Sequence, residues 1–357
     1  MKTKLLYLTK IIVFLIIVFV LLMVLSFRTK PTIDSEIITN FSSVKKNTVD
    51  VLFSGTSGVM RGISPLEIYK ENGITSYNVV QSFNNNSFDY FFIKDALRRQ
   101  SPKVVILDIE RIFDGALKEN EIHFVLDGLP LNQCKLEILN SNIMEGNYDL
   151  FDRLSFVVPF FRHHNDNFIK AINKGSNKVC NDAIAYGYKY TSFVGYKELD
   201  PNYMSRKDGD LTVHFKKTHS IEYIEKIKQM LDEKGIKLVL FCPPHAGLWT
   251  NDKHEFVQKF ADKLGVPFLD INMEYDKTKI DLKTDFMDQG HHLNVVGAEK
   301  LSKFMAKYLK DNYDLKDHRN DDNYSQYKND LVKYEEYKYN YMKDYYKNLE
   351  NRGKNNV

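Results

Sequence analysis

Cysteine, tryptophan and proline are scarce in this chain of 357 residues, and neither sign of charge dominates it. The three cysteines, Cys134, Cys180 and Cys242, stand at spacings that match neither a zinc ribbon nor a CxxC redox pair, so no disulfide framework and no thiolate metal site is expected. Seventeen glycines and nine prolines are too few for a collagenous or low-complexity chain. Fifty Lys and Arg against 47 Asp and Glu leave 50 − 47 = +3, without the basic excess of a nucleic-acid binder, and nucleic acid is not an expected partner. No internal repeat is present. What remains is a globular composition, 43% hydrophobic and 13% aromatic, at a length that allows two or three domains of roughly 100–200 residues or one with large insertions.

One long hydrophobic run is present. Residues 11–27 (IIVFLIIVFVLLMVLSF) carry no charge, and with Leu5, Leu6, Tyr7 and Leu8 the run reaches the ~20 residues needed to span hydrocarbon. A cleavable signal peptide has a shorter apolar region, roughly 7–15 residues, followed by small residues. Phe27, Arg28 and Lys30 follow here. The run is therefore expected to be an uncleaved transmembrane signal anchor. Residues 1–10, with Lys2, Lys4 and Lys10, are expected in the cytoplasm, and the rest of the chain outside it.

Residues 28–48 are polar, contain Pro31, and suit a stalk. From residue 49 short apolar runs alternate with helical patterns. Strands are expected at 49–54 (VDVLFS), 77–81 (YNVVQ), 103–109 (KVVILDI), 237–241 (KLVLF) and 267–270, with helices at 88–99, 221–233 and 251–264. Ser64, Pro65 and Glu67 form a helix start, with Ser as cap and Pro at the first position. Buried strands alternating with helices predict an α/β fold, a parallel sheet covered on both faces. The rhythm breaks over residues 113–213, which read as an insertion over the carboxyl ends of the strands. Residues 312–357 hold nine of the 22 tyrosines; Tyr324, Tyr327, Leu331, Tyr334, Lys338, Tyr341 and Tyr345 follow three-and-four spacing, one face of a helix that is expected to pack on its own domain.

Two segments can carry chemistry. Gly55-Thr56-Ser57 directly follows the first strand, and Asp288-Gln289-Gly290-His291-His292-Leu293-Asn294 directly precedes the last helix of the sheet domain. Both fall at strand carboxyl ends, where open α/β sheets bind ligands. A serine at such a turn exposes its hydroxyl among backbone amides, and it becomes a nucleophile when an imidazole, oriented by a carboxylate, takes its proton. Asp288 and His292 supply that pair. The bland alternatives are a helix cap for Gly-Thr-Ser, and surface or metal-binding roles for His291 and His292, the latter lacking evident further ligands. A phosphate loop is excluded by the missing lysine and spacing, and the α/β-hydrolase elbow by Val59 in place of its second glycine.

At these residues the chain resembles membrane-anchored members of the SGNH/GDSL-like hydrolase superfamily. The likeness is carried by VDVLFSGTSGVMRGISPLEIYKENGITSYNVV, PKVVILDIERIF and DQGHHLNVVGAEKLSKFMAKYL, covers residues 49–111 and 217–309, and fades in the insertion. The resemblance implies a three-layer α/β/α flavodoxin-like domain over residues 49–311, with Ser57 as nucleophile, His292 as base and Asp288 as its carboxylate. His291 is the alternative base, because the family's Asp-x-x-His spacing fits it better. The family's glycine and asparagine oxyanion blocks are absent; Ser82 and Asn85, or a neighbouring Asn84 or Asn86, are the candidate donors. Arg162-His163-His164-Asn165 resembles an Arg-x-His element of anchored members, with a solvated loop as the alternative, and Cys242-Pro243-Pro244-His245 reads as a structural turn. No cofactor and no metal is implied. The implied activity is serine esterase or O-acyltransferase chemistry on acyl esters of a cell-envelope polysaccharide or teichoic-acid-like polymer, beside a membrane-bound O-acyltransferase. The alternatives are a non-catalytic glycan-binding or scaffold subunit and, less favoured, a metal-dependent hydrolase.

Overall fold

The computed structural model describes residues 2–28, 35–115, 117–144, 146, 148–163, 184–195, 202–212, 219–288 and 290–355. The chain divides into two compact units, Met1–Ser35 with Glu119–Asn181, and Glu36–Lys118 with Asp182–Val357.

The second unit is built on five parallel strands, β1 (Val51–Gly55), β2 (Ser76–Val80), β3 (Val104–Asp108), β6 (Lys237–Cys242) and β7 (Phe268–Asp270), in the order β2-β1-β3-β6-β7. A small hairpin of β4 (Ile184–Ala185) and β5 (Tyr188–Lys189) lies between β3 and β6 in sequence. Every residue of β1, β2 and β3 is buried, as a parallel sheet covered on both faces requires. Pro65–Asn72 packs on Val295–Asn312, and Asn86–Ala96 on Ser220–Asp232. The Pro65 helix starts as its sequence predicts: Pro65 occupies the first turn, the Ser64 side chain accepts the Glu67 amide, and Gly73 ends it in the left-handed region. From β1 the chain crosses to β2 on one side and afterwards to β3 on the other. The switch point, where ligands bind in such sheets, therefore lies beyond the carboxyl ends of β1 and β3.

The edge of β2 is covered. The Asn78 amide donates to the Tyr186 carbonyl in the β4–β5 turn at 3.0 Å, which removes part of an open strand edge. The long helix Ser325–Asn355 packs on Pro65–Asn72 and Val295–Asn312. Its tyrosine stripe points inward: Tyr327, Tyr334, Lys338 and Tyr345 are buried. The lysine within the stripe has a partner, since Lys338 Nζ lies 2.8 Å from Glu67 Oε2 and 3.0 Å from Glu299 Oε1, while Tyr334 donates to the same Glu67 oxygen at 2.8 Å.

The first unit contains the helix Lys2–Arg28, whose most apolar stretch, within Thr3–Ser26, is unburied. It is long and apolar enough to cross a membrane. With it go the short helices Glu119–Asp127, Gln133–Leu139, Leu150–Val157 and Phe160–His163.

Two expected boundaries move. Residues 36–48 are not a free stalk: Ile37, Phe41 and Val44 are buried, Tyr77 donates to the Ile37 carbonyl at 2.7 Å, and the Phe41 and Tyr77 rings meet at 4.8 Å. Polarity misled here because a few apolar side chains at helical spacing were enough to seat the segment. The expected insertion 113–213 is not one body either, since its described residues between 119 and 163 group with the N-terminal helix and residues 184–195 with the sheet. Residues 29–34 of the expected stalk, and Cys180, lie outside the described residues.

Glycine is required where β1 ends. Gly55 has φ +150°, and a Cβ there would stand 2.2 Å from Cβ of Asp108 on the neighbouring strand. Gly55→Ala is expected to lower stability by about 3 kcal/mol through overpacking and backbone strain. Urea denaturation checks this, and an unchanged midpoint would contradict it.

Candidate active site

Thr56 and Ser57 divide the two roles that a Gly-Thr-Ser turn offers. Thr56 is the cap of the helix Ser57–Gly62, its hydroxyl oxygen accepting the Gly58 amide at 3.2 Å while donating to Asp108 Oδ2 at 2.8 Å. Ser57, at the first helical position, is left with its hydroxyl directed at an imidazole. Ser57 Oγ lies 2.8 Å from His292 Nε2, and His292 Nδ1 lies 2.5 Å from Asp288 Oδ2. The other Asp288 oxygen accepts the backbone amides of His291 and His292, both at 2.9 Å. Burial alone would raise the Asp288 carboxyl, but these hydrogen bonds, with that from the His292 ring foremost, outweigh it and hold the group at about 2. The carboxylate is thus ionised and fixed on the nitrogen that faces away from the serine.

The loop that carries the pair is not helical. A bridge between Phe286 and Leu293 and the Met287 amide on the His292 carbonyl at 2.9 Å close it into a narrow turn. The Asp288 side chain folds back onto its own loop amides, which accommodates four-residue spacing without a helix. Asn294 caps the following helix through the Val296 and Gly297 amides. Gln289 lies outside the described residues.

His291 turns elsewhere. Its Nδ1 is 2.7 Å from His245 Nε2, and His245 Nδ1 is 2.7 Å from Glu110 Oε1. Burial favours neutral His245, but its hydrogen bond to Glu110 prevails and raises it. Burial pushes Glu110 up and the same bond, prevailing again, brings it down. Burial, then the neighbouring His245, lowers His291. When protonated, His245 donates from both ring nitrogens, to Glu110 and to His291 Nδ1. Gly58 makes this approach possible, because a Cβ there would meet Glu110 Oε2 and Pro243 Cγ, each at 2.8 Å. His245 is therefore more than the structural turn expected of Cys242-Pro243-Pro244-His245; sequence reading missed it and Glu110, which have only their places after β6 and β3 as signals.

The expected oxyanion candidates separate by what they already bind. Asn84 Nδ2 donates to Asp89 and to the Gly55 carbonyl, and Asn86 Nδ2 to Asp89 and to the Asp108 carbonyl, so both are scaffolding. Asn85 caps the helix Asn86–Ala96, its oxygen accepting the Ser87 amide at 3.2 Å. Ser82 is half-buried in the loop before it.

No protein-family model and no curated protein matches the chain.

A second Ser, His and Asp group lies in the other unit and fails the geometric test. Ser155 Oγ is 3.4 Å from His123 Nε2 and donates instead to the Asp152 carbonyl at 2.6 Å, with Ser155, His123 and Asp127 all buried. Arg162 is 4.0 Å from Asp127; His164 and Asn165 of the expected Arg-x-His element lie outside the described residues. Among the described residues no group of three His, Cys, Asp or Glu is arranged to hold a metal ion.

Two buried carboxyls underlie the nucleophile turn. Burial, opposed by a Ser54 hydrogen bond and aided by Asp108, raises Asp89 to about 8; burial and the Glu110 charge raise Asp108 to about 7. A raised carboxyl stabilises the fold fully below its unfolded value of about 4, and that contribution is lost as pH rises toward the folded value. Asp89→Asn cannot ionise but turns an amide toward a side-chain amide that Asp89 accepts, so it is expected to lower the melting temperature at about pH 5 and to flatten its decline from there upward, in the window these values set. Melting curves across that range check it; an unchanged slope would contradict it.

Proposed function

We propose that the protein is a membrane-anchored serine esterase or O-acyltransferase of SGNH type, working outside the cytoplasm on acyl esters of a cell-envelope polysaccharide or teichoic-acid-like polymer. The observation that carries the chemistry is the unbroken chain from Ser57 Oγ through His292 to Asp288 at the sheet's switch point. The spanning N-terminal helix and the resemblance to anchored family members support the location and substrate class.

In the first step Ser57 Oγ attacks the acyl carbonyl as its proton passes to His292 Nε2. Asp288 holds the imidazole in the required tautomer and stabilises the cation that forms. The carbonyl pair moves onto oxygen, and the Ser57 backbone amide, together with the Asn85 side-chain amide, are the donors we assign to that oxyanion. Collapse expels the donor alcohol, which takes the proton from His292, and leaves an acyl ester on Ser57. Water or a polymer hydroxyl, deprotonated by His292, then attacks the ester and restores the serine. The choice of acceptor alone divides hydrolysis from transfer, and a membrane-bound O-acyltransferase is the partner that supplies the acyl donor.

The test is turnover of short-chain acyl esters by the purified full chain, with and without a polyol acceptor. An initial burst and partition of the acyl group to the polyol are expected. A folded chain with no turnover and with measurable affinity for envelope polymer would replace this reading by the glycan-binding one.

A further inference from the structure

The helix Leu150–Val157 keeps an apolar face in the open. Leu150 is 76% exposed, Phe151 52% and Leu154 44%. At about 100° per residue these three and half-buried Val157 fall within roughly a third of the helix circumference. The other side is packed: Ser155 and Phe156 are buried, and the Phe156 ring stacks on His123 at 4.2 Å. The charged neighbours do not share the apolar arc, and Asp149 and Asp152 cap one another's amides at the helix start.

Continuity with the spanning helix identifies what covers this face. Ser26, the last residue of the apolar segment Thr3–Ser26, accepts the Phe160 amide on its Oγ at 2.9 Å. Phe160 follows the helix Leu150–Val157 after only Val158 and Pro159, and the Phe151 ring lies 5.7 Å from that of Phe161. The exposed face is therefore tied to the point where the N-terminal helix leaves its apolar run.

We propose that Leu150, Phe151 and Leu154 insert into the boundary between lipid headgroups and acyl chains on the side where residue 26 emerges, so that this unit rests on the bilayer as well as being threaded to it. Short amphipathic helices with Leu and Phe on one side bind at this depth through apolar burial. The nearby Asp149, Asp152 and Arg153 do not require anionic lipid, and a zwitterionic surface suffices. The proposal rests on the reading of the N-terminal helix as a membrane anchor.

The test uses the full chain in phosphatidylcholine vesicles containing lipids brominated near either the headgroup end or the methyl end of the acyl chains. The single native tryptophan, Trp249, is 1% exposed and provides a constant background. Phe151→Trp and, as a second position, Leu154→Trp are expected to lose emission to the shallow bromines more than to the deep ones. Phe19→Trp, in the middle of the spanning helix, is expected to lose more to the deep ones. Quenching at Phe19→Trp with none at the other two positions would overturn the proposal and show the face to be covered by protein. No quenching at Phe19→Trp would overturn the anchor reading, and the proposal with it.

Discussion

Ser57→Ala is expected to remove acyl-ester turnover down to a residual level, a loss of about five to six orders of magnitude in kcat by analogy with measured nucleophile deletions in serine hydrolases. The loss is so large because no other group in the chain of hydrogen bonds is a nucleophile once Oγ is gone. The fold should barely change. Thr56, not Ser57, caps the helix, so the substitution removes no cap and is expected to alter stability by less than about 0.5 kcal/mol. Steady-state kinetics and thermal melting on the same preparation separate the two effects. Retained turnover at native stability would contradict the assignment of the nucleophile.

His292→Ala is expected to cost nearly as much, because base and nucleophile act as a unit, whereas His291→Ala should cost far less. Of the two histidines, His292 touches both Ser57 and Asp288. His291 reaches Glu110 through His245 and leaves the serine alone. Asp288→Asn should reduce kcat by about four orders of magnitude, since an asparagine in that position no longer holds the catalytic tautomer. Measured rates in the order His291→Ala, Asp288→Asn, His292→Ala, from fastest to slowest, check the arrangement. A reversal of the two histidines would make His291 the base.

The core of the α/β architecture was legible in the sequence because it depends on local signals. Buried apolar runs ended at Gly55, Val80 and Asp108, and the Ser64-Pro65-Glu67 start and the helix Asn251–Leu264 fell where capping chemistry puts them. The tyrosine stripe was legible as a packed face, although its lysine acquired a reason only when Glu67 and Glu299 came within reach. The Ser57, His292 and Asp288 candidates were found because each sits at a strand end or helix start with a fixed offset. Glu110 and His245 were missed because their relation to His291 is made by the parallel alignment of β3 with β6, which no local pattern records. The seating of residues 36–48 was missed for the same reason: it depends on Tyr77, far away in the sequence.

Labelling of the purified full chain with a fluorophosphonate probe, followed by mapping of the modified peptide, distinguishes a nucleophilic Ser57 from an inert one. An activated serine beside a base reacts with such a probe, and a serine that merely caps a helix does not. A single stoichiometric adduct on Ser57 is expected, slowed by orders of magnitude in His292→Ala and little changed in His291→Ala. A folded protein that takes no label, or that is modified at another serine with Ser57 untouched, would contradict it.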